Sequence, residues 1–242
     1  MAGFHTHLSG AALVSGTAAV TSLLVGWVTE AQAPLLFIAG IVGGILPDID
    51  AKDSIPVRVF FTLLALLAAA SALFRAAPLL SLVESLLLGG FAYWWIRYPI
   101  SAWFLRYTVH RGVFHSLLAV LFFTALTAAL VHRLGGGAPL LSWLVALALG
   151  VGYLTHLCLD ELASLDPLRL TVKGSFGTAL KPCSWQCPWA SLLLLGASGC
   201  AVLAAPDPRP LWRGLPVAAT VERLSGRLLP AEGQWFRALL PH

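Results

Sequence analysis

The chain has 242 residues, of which 15 Lys+Arg and 11 Asp+Glu make up 11%, against 58% hydrophobic residues and a mean hydropathy of +0.84. Soluble domains carry roughly 25% charged residues, so this composition excludes an ordinary soluble enzyme, and the apolar content excludes intrinsic disorder. The chain reads as a membrane protein.

A bilayer core of about 30 Å takes about 20 helical residues to cross. Seven apolar blocks are candidates: Ser9–Val28, Pro34–Leu46, Val59–Phe74, Leu79–Ile96, Phe114–Val131, Leu140–Leu159 and Trp189–Ala205. The second is short and interrupted by Gly40, Gly43 and Gly44, so it reads as tilted or partly re-entrant. None alternates with the period of two that a β-barrel needs. The expectation is an all-α polytopic helical membrane protein with about six to seven transmembrane helices. Residues 1–205 are read as the membrane-embedded domain and residues 206–242 as a tail, with an amphipathic helix near Val217–Leu229 suited to a membrane surface. Ala31-Gln32-Ala33 resembles a leader cleavage site, but no Lys or Arg precedes Lys52 and Pro34 would follow the scissile bond, so the first helix is expected to stay.

If all seven blocks span, the N-terminus and the segments after the second, fourth and sixth share one side. That side holds eight cations (Lys52, Arg58, Arg97, Arg106, Arg111, Arg169, Lys173 and Lys181), and the short loops opposite hold two, Arg75 and Arg133. Short cationic loops stay in the cytoplasm, which puts the N-terminus there. The net charge of +4 thus needs no nucleic acid, and none is expected as a partner.

Ionisable side chains at membrane depth are costly and usually functional. Four groups stand out: His5-Thr6-His7, Leu46-Pro47-Asp48-Ile49-Asp50, His110-Arg111-Gly112-Val113-Phe114-His115, and His156-Leu157-Cys158-Leu159-Asp160. All four fall on the same side of the membrane under the seven-span reading. His156 and Asp160 lie at i, i+4 and project from one helical face. Asp48 and Asp50 follow a helix-ending proline. His110 and His115 meet only if the helix begins between them, for which Gly112 offers a break. His7, at the start of the first helix, closes the set.

The candidate metal ligands are therefore His7, Asp48, Asp50, His110, His115, His156 and Asp160. Mixed imidazole and carboxylate ligation suits Zn, with Mn or Fe as alternatives, better than Mg or Ca. So large a set suggests two ions, an arrangement suited to hydrolysing phosphate esters. Asp48 and Arg111 are the expected catalytic residues, Asp48 holding the metal that activates water and Arg111 the phosphoryl oxygens.

Taken together, Thr6-His7-Leu8, Leu46-Pro47-Asp48-Ile49-Asp50, His110-Arg111-Gly112-x-x-His115-Ser116-Leu117-Leu118 and Gly152-Tyr153-Leu154-Thr155-His156-x-x-x-Asp160 resemble the successive motifs of the YdjM-type family of inner-membrane proteins. The resemblance runs over residues 5–182 and implies a metal-dependent hydrolase with the same ligand set. The family is more distantly similar to zinc-dependent phospholipases C and zinc nucleases, which implies phosphoester chemistry by analogy of fold. This chain departs from the usual pattern at Ser54-Ile55-Pro56-Val57-Arg58 and at Ser164-Leu165-Asp166-Pro167. Those departures bear on substrate more than on metal.

The expected partners are membrane lipids and an amphiphilic or lipid-linked substrate, and the oligomeric state is left open. Two other classes compete: a metal or proton transporter, whose ligands should extend through the membrane depth, and a non-catalytic scaffold tied by a fully coordinated metal. Of the remaining polar residues, His5 and His132 read as surface and interfacial, and Glu84 reads either as a site residue or as the partner of a nearby Arg or amide. Cys158 and Cys200 read as packing residues in apolar helices, and Cys183 and Cys187 as reduced thiols in a cytoplasmic loop.

Overall fold

The computed structural model describes residues 3–51, 54–107, 112–166, 171–172, 176–214, 217–226 and 228. Among them, helices run over Phe4–Leu24 (α1), Ala33–Ile45 (α2), Ile55–Ala76 (α3), Leu82–Trp95 (α4), Ser101–Tyr107 (α5), Leu117–Arg133 (α6), Pro139–Leu162 (α7), Pro188–Ala204 (α8), Arg209–Gly214 (α9) and Val217–Ser225 (α10). A 3-10 turn, Leu46–Asp50, continues α2, and a π-helical turn, Ile96–Ile100, joins α4 to α5 around Pro99. The extended structure described is one antiparallel pairing of Leu165–Asp166 with Thr171–Val172. The fold is all-helical in character, and α1, α3 and α7 are long and apolar enough to cross a membrane, with α2, α6 and α8 as shorter apolar helices.

Local chemistry sets the helix starts. Pro34, Pro56, Pro139 and Pro188 sit in first turns, where a missing N–H costs nothing. Ser54 caps α3 by accepting the Val57 N–H at 3.3 Å, and Ser116 caps α6 by accepting the Ala119 N–H at 3.3 Å. Ser81 and Glu84 form a capping box on α4, in which the Glu84 carboxylate accepts the Ser81 N–H at 2.9 Å. Glu84 therefore serves as a helix cap, paired with an amide and not part of a site: a carboxylate one turn into a helix is satisfied by the free N–H groups there.

The centre of the fold is α7, with 61% of its apolar window buried against 17% for α3. It packs against α1, α2 and α6, while α8 lies on α6 and α3 pairs with α4. Leu63, Leu66 and Leu67 of α3 and Leu82, Val83 and Leu87 of α4 are exposed, a contiguous apolar surface suited to lipid rather than water. Cys158 and Cys200 are also exposed on their helices, so the reading of them as packing residues does not hold. The apolar solvent around a membrane helix lets such a side chain face outward. Cys183 and Cys187 are half-buried and free.

Helix α2 runs uninterrupted through Gly40, Gly43 and Gly44 because those glycines are contact points. A methyl group at Gly43 would overlap the Leu149 carbonyl of α7, one at Gly44 the Ala11 methyl of α1, and one at Gly152 of α7 the Gly40 carbonyl. In lipid there is little hydrophobic force between helices, so close backbone approach through small residues supplies the attraction.

The opposite end of the fold is tied by hydrogen bonds. His132 Nδ1 donates to the Gly137 carbonyl at 2.8 Å, Arg133 Nε to the Ala204 carbonyl at 2.7 Å, and Trp143 Nε1 to the Pro206 carbonyl at 3.0 Å. The tail returns to that same end: α9 packs on α7, and Arg223 of α10 donates to the Val25 carbonyl at 2.9 Å.

The glycine contacts make a direct prediction. Gly152→Ala should lower stability in detergent by about 1–3 kcal/mol, because rigid backbone must move. Gly196→Ala in α8, where nothing lies within 4 Å, should be neutral or stabilising by up to about 1 kcal/mol, since alanine is the better helix former. Chemical unfolding of the two variants measures the difference.

Candidate metal centre

Five of the seven sequence-predicted ligands meet at one end of the bundle. His7 comes from the first turn of α1, Asp48 from the 3-10 turn after α2, His115 from the segment before α6, and His156 and Asp160 from the last turns of α7. Two overlapping groups, His7 with His156 and Asp160, and Asp48 with His115 and His156, each bring their ligand atoms within 4.8 Å of one another. His110 and Arg111 lie outside the described residues, and Asp50 is described through its backbone, as the end of the 3-10 turn.

His156 is held from behind. Pro47 has no N–H to offer the carbonyl of Gly44 three residues earlier, so the switch from α to 3-10 geometry orphans that carbonyl. His156 takes it up: its Nδ1 lies 2.8 Å from the Gly44 oxygen. That bond makes Nδ1 the protonated nitrogen and turns the Nε2 lone pair inward, the arrangement typical of a metal-binding histidine. His7 stacks on the same ring, with centroids 3.6 Å apart and planes 9° from parallel.

His115 is fixed through its neighbours. The buried Tyr153 hydroxyl donates to the Phe114 carbonyl at 2.6 Å, Ser116 Oγ donates to the Val113 carbonyl at 2.6 Å, and the Leu117 and Leu118 N–H groups donate to the Lys181 and Pro182 carbonyls at 2.9 and 3.1 Å. The helix begins at Leu117, after His115 and not between His110 and His115 as expected, because Ser116 caps it, so His115 points from a bend instead of from a helical face. The loop behind is anchored in turn by Glu161, whose carboxylate accepts the Gly177 and Ala179 N–H groups. Sequence reasoning missed Glu161 and Tyr153. The available signal was an acid next to Asp160 at the end of an apolar helix, and a tyrosine one turn before His156.

The spacing of the ligand atoms fits a shared cation. His7 Nε2 lies 3.3 Å from Asp160 Oδ1, His115 Nε2 3.5 Å from Asp160 Oδ2, His156 Nε2 3.5 Å from Asp48 Oδ1, and His115 Nε2 3.8 Å from the same Asp48 oxygen. These separations exceed ordinary N–H···O lengths. They match the roughly 3.3 Å edge of a tetrahedron of ligands at about 2.0–2.1 Å from zinc. His7 Nδ1 and Nε2, His156 Nε2 and Asp48 Oδ1 are buried and lack a hydrogen-bond partner, which is costly unless a cation satisfies them. The donor set of three imidazoles and two carboxylates, without thiolate, suits zinc, manganese or iron(II).

Connectivity limits how ions could be shared. The single lone pair of His156 Nε2 serves one ion, while Asp160 turns Oδ1 toward His7 and Oδ2 toward His115 and can bridge two. Asp48 is 14% exposed, whereas the side chains of His115, His156 and Asp160 are fully buried. Access from outside therefore falls on the Asp48 side. His5 is exposed and stands apart from the cluster.

These features define a helical membrane protein whose helix ends enclose a buried His/Asp cluster able to hold metal. Residues 1–205 match the YdjM inner membrane protein family, and the chain belongs to that family. No curated protein and no solved structure matches the chain.

Two outcomes are expected. The His156→Ala/Asp160→Ala double variant should lose transition metal that the parent protein retains through dialysis, while Cys183→Ser/Cys187→Ser should keep it; elemental analysis of the purified proteins distinguishes them. Tyr153→Phe, which leaves the Phe114 carbonyl without this donor, should cost about 1–3 kcal/mol in unfolding free energy and lower metal retention less than the loss of a ligand does.

Proposed function

We propose that this protein is a membrane-bound metal-dependent hydrolase acting on a phosphoester of a lipid or lipid-linked substrate. The observation that carries the proposal is the buried convergence of His7, Asp48, His115, His156 and Asp160 at one end of an apolar helical bundle. Zinc is the metal that best suits these donors, and His7, Asp48, His115, His156 and Asp160 would hold it. A bound zinc supplies a water acidic enough to act as nucleophile near neutral pH and a Lewis acid for the phosphoryl oxygens.

The protein's own groups supply the rest. His156, oriented by the Gly44 carbonyl, and His7, stacked on it, form the fixed wall of the site. Asp48, as the accessible ligand, faces the entering ester. Arg111 is assigned to the departing or transferred phosphoryl oxygens from its place beside His110 in the sequence. A site at a helix end, among apolar helices with exposed leucines, favours a substrate with a polar head and a membrane-embedded chain.

In the membrane, α1, α2, α3, α4, α6, α7 and α8 are taken as seven spans. With the cation distribution of the connecting segments, the cluster then faces the cytoplasm. A transporter is the second reading. Against it, the metal-competent groups among the described residues lie at one end of the bundle, whereas a transport path needs ligands along the membrane depth.

Purified protein should release a headgroup or phosphate from a panel of phospholipids and polyprenyl phosphates when loaded with zinc, and Asp48→Ala should reduce turnover by about 100-fold or more, the scale of loss when electrostatic stabilisation of a transition state is removed. Metal-loaded protein inactive on every phosphoester, but able to move zinc into sealed vesicles, would contradict the hydrolase and support transport.

A further inference from the structure

At the end of the bundle away from the His/Asp cluster, α1, α2 and α7 line a cavity of about 580 Å³. Ala18 and Ser22 of α1, Leu36 of α2, and Leu144, Ala148 and Val151 of α7 form its walls. Trp212 of α9 and Thr220 and Val221 of α10 line its open side. The hydroxyl of Ser22 is spent on the Ala18 carbonyl at 2.8 Å, so the wall is apolar in effect.

None of the residues lining the cavity belongs to the His/Asp cluster. Along α2 the order runs Leu36, then Gly40, Gly43 and Gly44, then Asp48, and along α1 it runs Ser22 and Ala18, then Ser15 and Ala11, then His7. On α7 the cavity residues Leu144, Ala148 and Val151 overlap the contact residues Leu149 and Gly152, and His156 lies beyond both. The glycine contacts thus lie between two spaces, one lined by ionisable side chains and the other by hydrocarbon.

We propose that this second space is a binding site for one acyl chain of an anionic phospholipid from the leaflet facing away from the cluster. A cavity of this size is within the usual range of ligand pockets, roughly 300–1,000 Å³. Its apolar wall offers water too few partners to hold it there, and an empty space forfeits the dispersion contacts of every lining atom. In a bilayer the available filler is a lipid chain. Charge at the mouth selects the headgroup. Arg213 follows Trp212 and is exposed, and Arg223, two residues after Val221, already reaches the Val25 carbonyl at 2.9 Å. Both cations lie at the end where a phosphate attached to that chain would emerge. The tail helices thus act as a clasp that holds a lipid against α1 and α7, and this role is independent of the chemistry at the metal cluster.

Native mass spectrometry of the full chain, extracted in mild detergent from membranes of mixed phosphatidylglycerol and phosphatidylethanolamine, tests the site. The parent protein should retain one phospholipid, enriched in phosphatidylglycerol relative to the membrane. Ala18→Phe, which fills the cavity from α1, and Val221→Trp, which fills it from the tail without touching the α1, α2 and α7 contacts, should each lower occupancy about tenfold or more, the effect of excluding as few as two methylenes. Arg213→Gln/Arg223→Gln should keep a bound lipid and lose the preference for phosphatidylglycerol. Parent protein without a retained lipid, or Val221→Trp retaining the same lipid at the same occupancy, overturns the proposal. Bound lipid in the bulk membrane proportion overturns the assignment of the headgroup.

Discussion

The contact of α2 with α1 and α7 through Gly40, Gly43, Gly44 and Gly152 is the constraint on which the rest of the structure depends. Backbones that meet without side chains between them can approach no further. Toward one end of this contact lie five metal-competent side chains. Toward the other lies an apolar cavity that the tail helices help to line. One packing decision, enforced by atoms that cannot be compressed, therefore positions both spaces and separates them.

The metal cluster draws on the same region for its precision. Pro47 stops α2 just past the glycines, frees the Gly44 carbonyl, and so orients His156. Tyr153, next to Gly152, reaches across to the segment that carries His115. Ligands from α1, α2, α7 and the start of α6 are thus referred to a common anchor even though they are distant in sequence. A buried group of imidazoles and carboxylates is tolerable in such an apolar bundle only if its lone pairs are satisfied, and the spacing already present is one that a cation would fit.

Much of this was legible in the sequence, for identifiable reasons. The i, i+4 spacing of His156 and Asp160 fixes a shared helical face whatever the tertiary fold, and Asp48 after Pro47 marks a helix end. The side-sharing of the four polar groups followed from counting apolar blocks. What the sequence left open depends on which helices touch. Gly40, Gly43 and Gly44 look like breaks in a short helix until Leu149 and Ala11 are known to lie against them. Glu84 looks like an intramembrane acid until Ser81 is seen to share its turn, although Ser-x-x-Glu before an apolar run is itself a cap signal. Glu161 shows in the sequence as no more than an acid beside Asp160, and the cavity has no local signature, because each depends on segments that meet only after folding.

The scarcity of charge in this chain takes on meaning from these placements. Of its 11 acidic residues, Asp48 and Asp160 lie in the cluster and Glu161 holds the loop behind it. X-ray absorption at the metal edge of the purified protein tests the central claim most directly. A first shell of nitrogen and oxygen at about 2.0–2.1 Å with the outer-shell scattering of imidazole, and no sulfur, is the result predicted for His7, His115, His156, Asp48 and Asp160. A shell containing sulfur at about 2.3 Å would place the metal on cysteine instead and contradict the account.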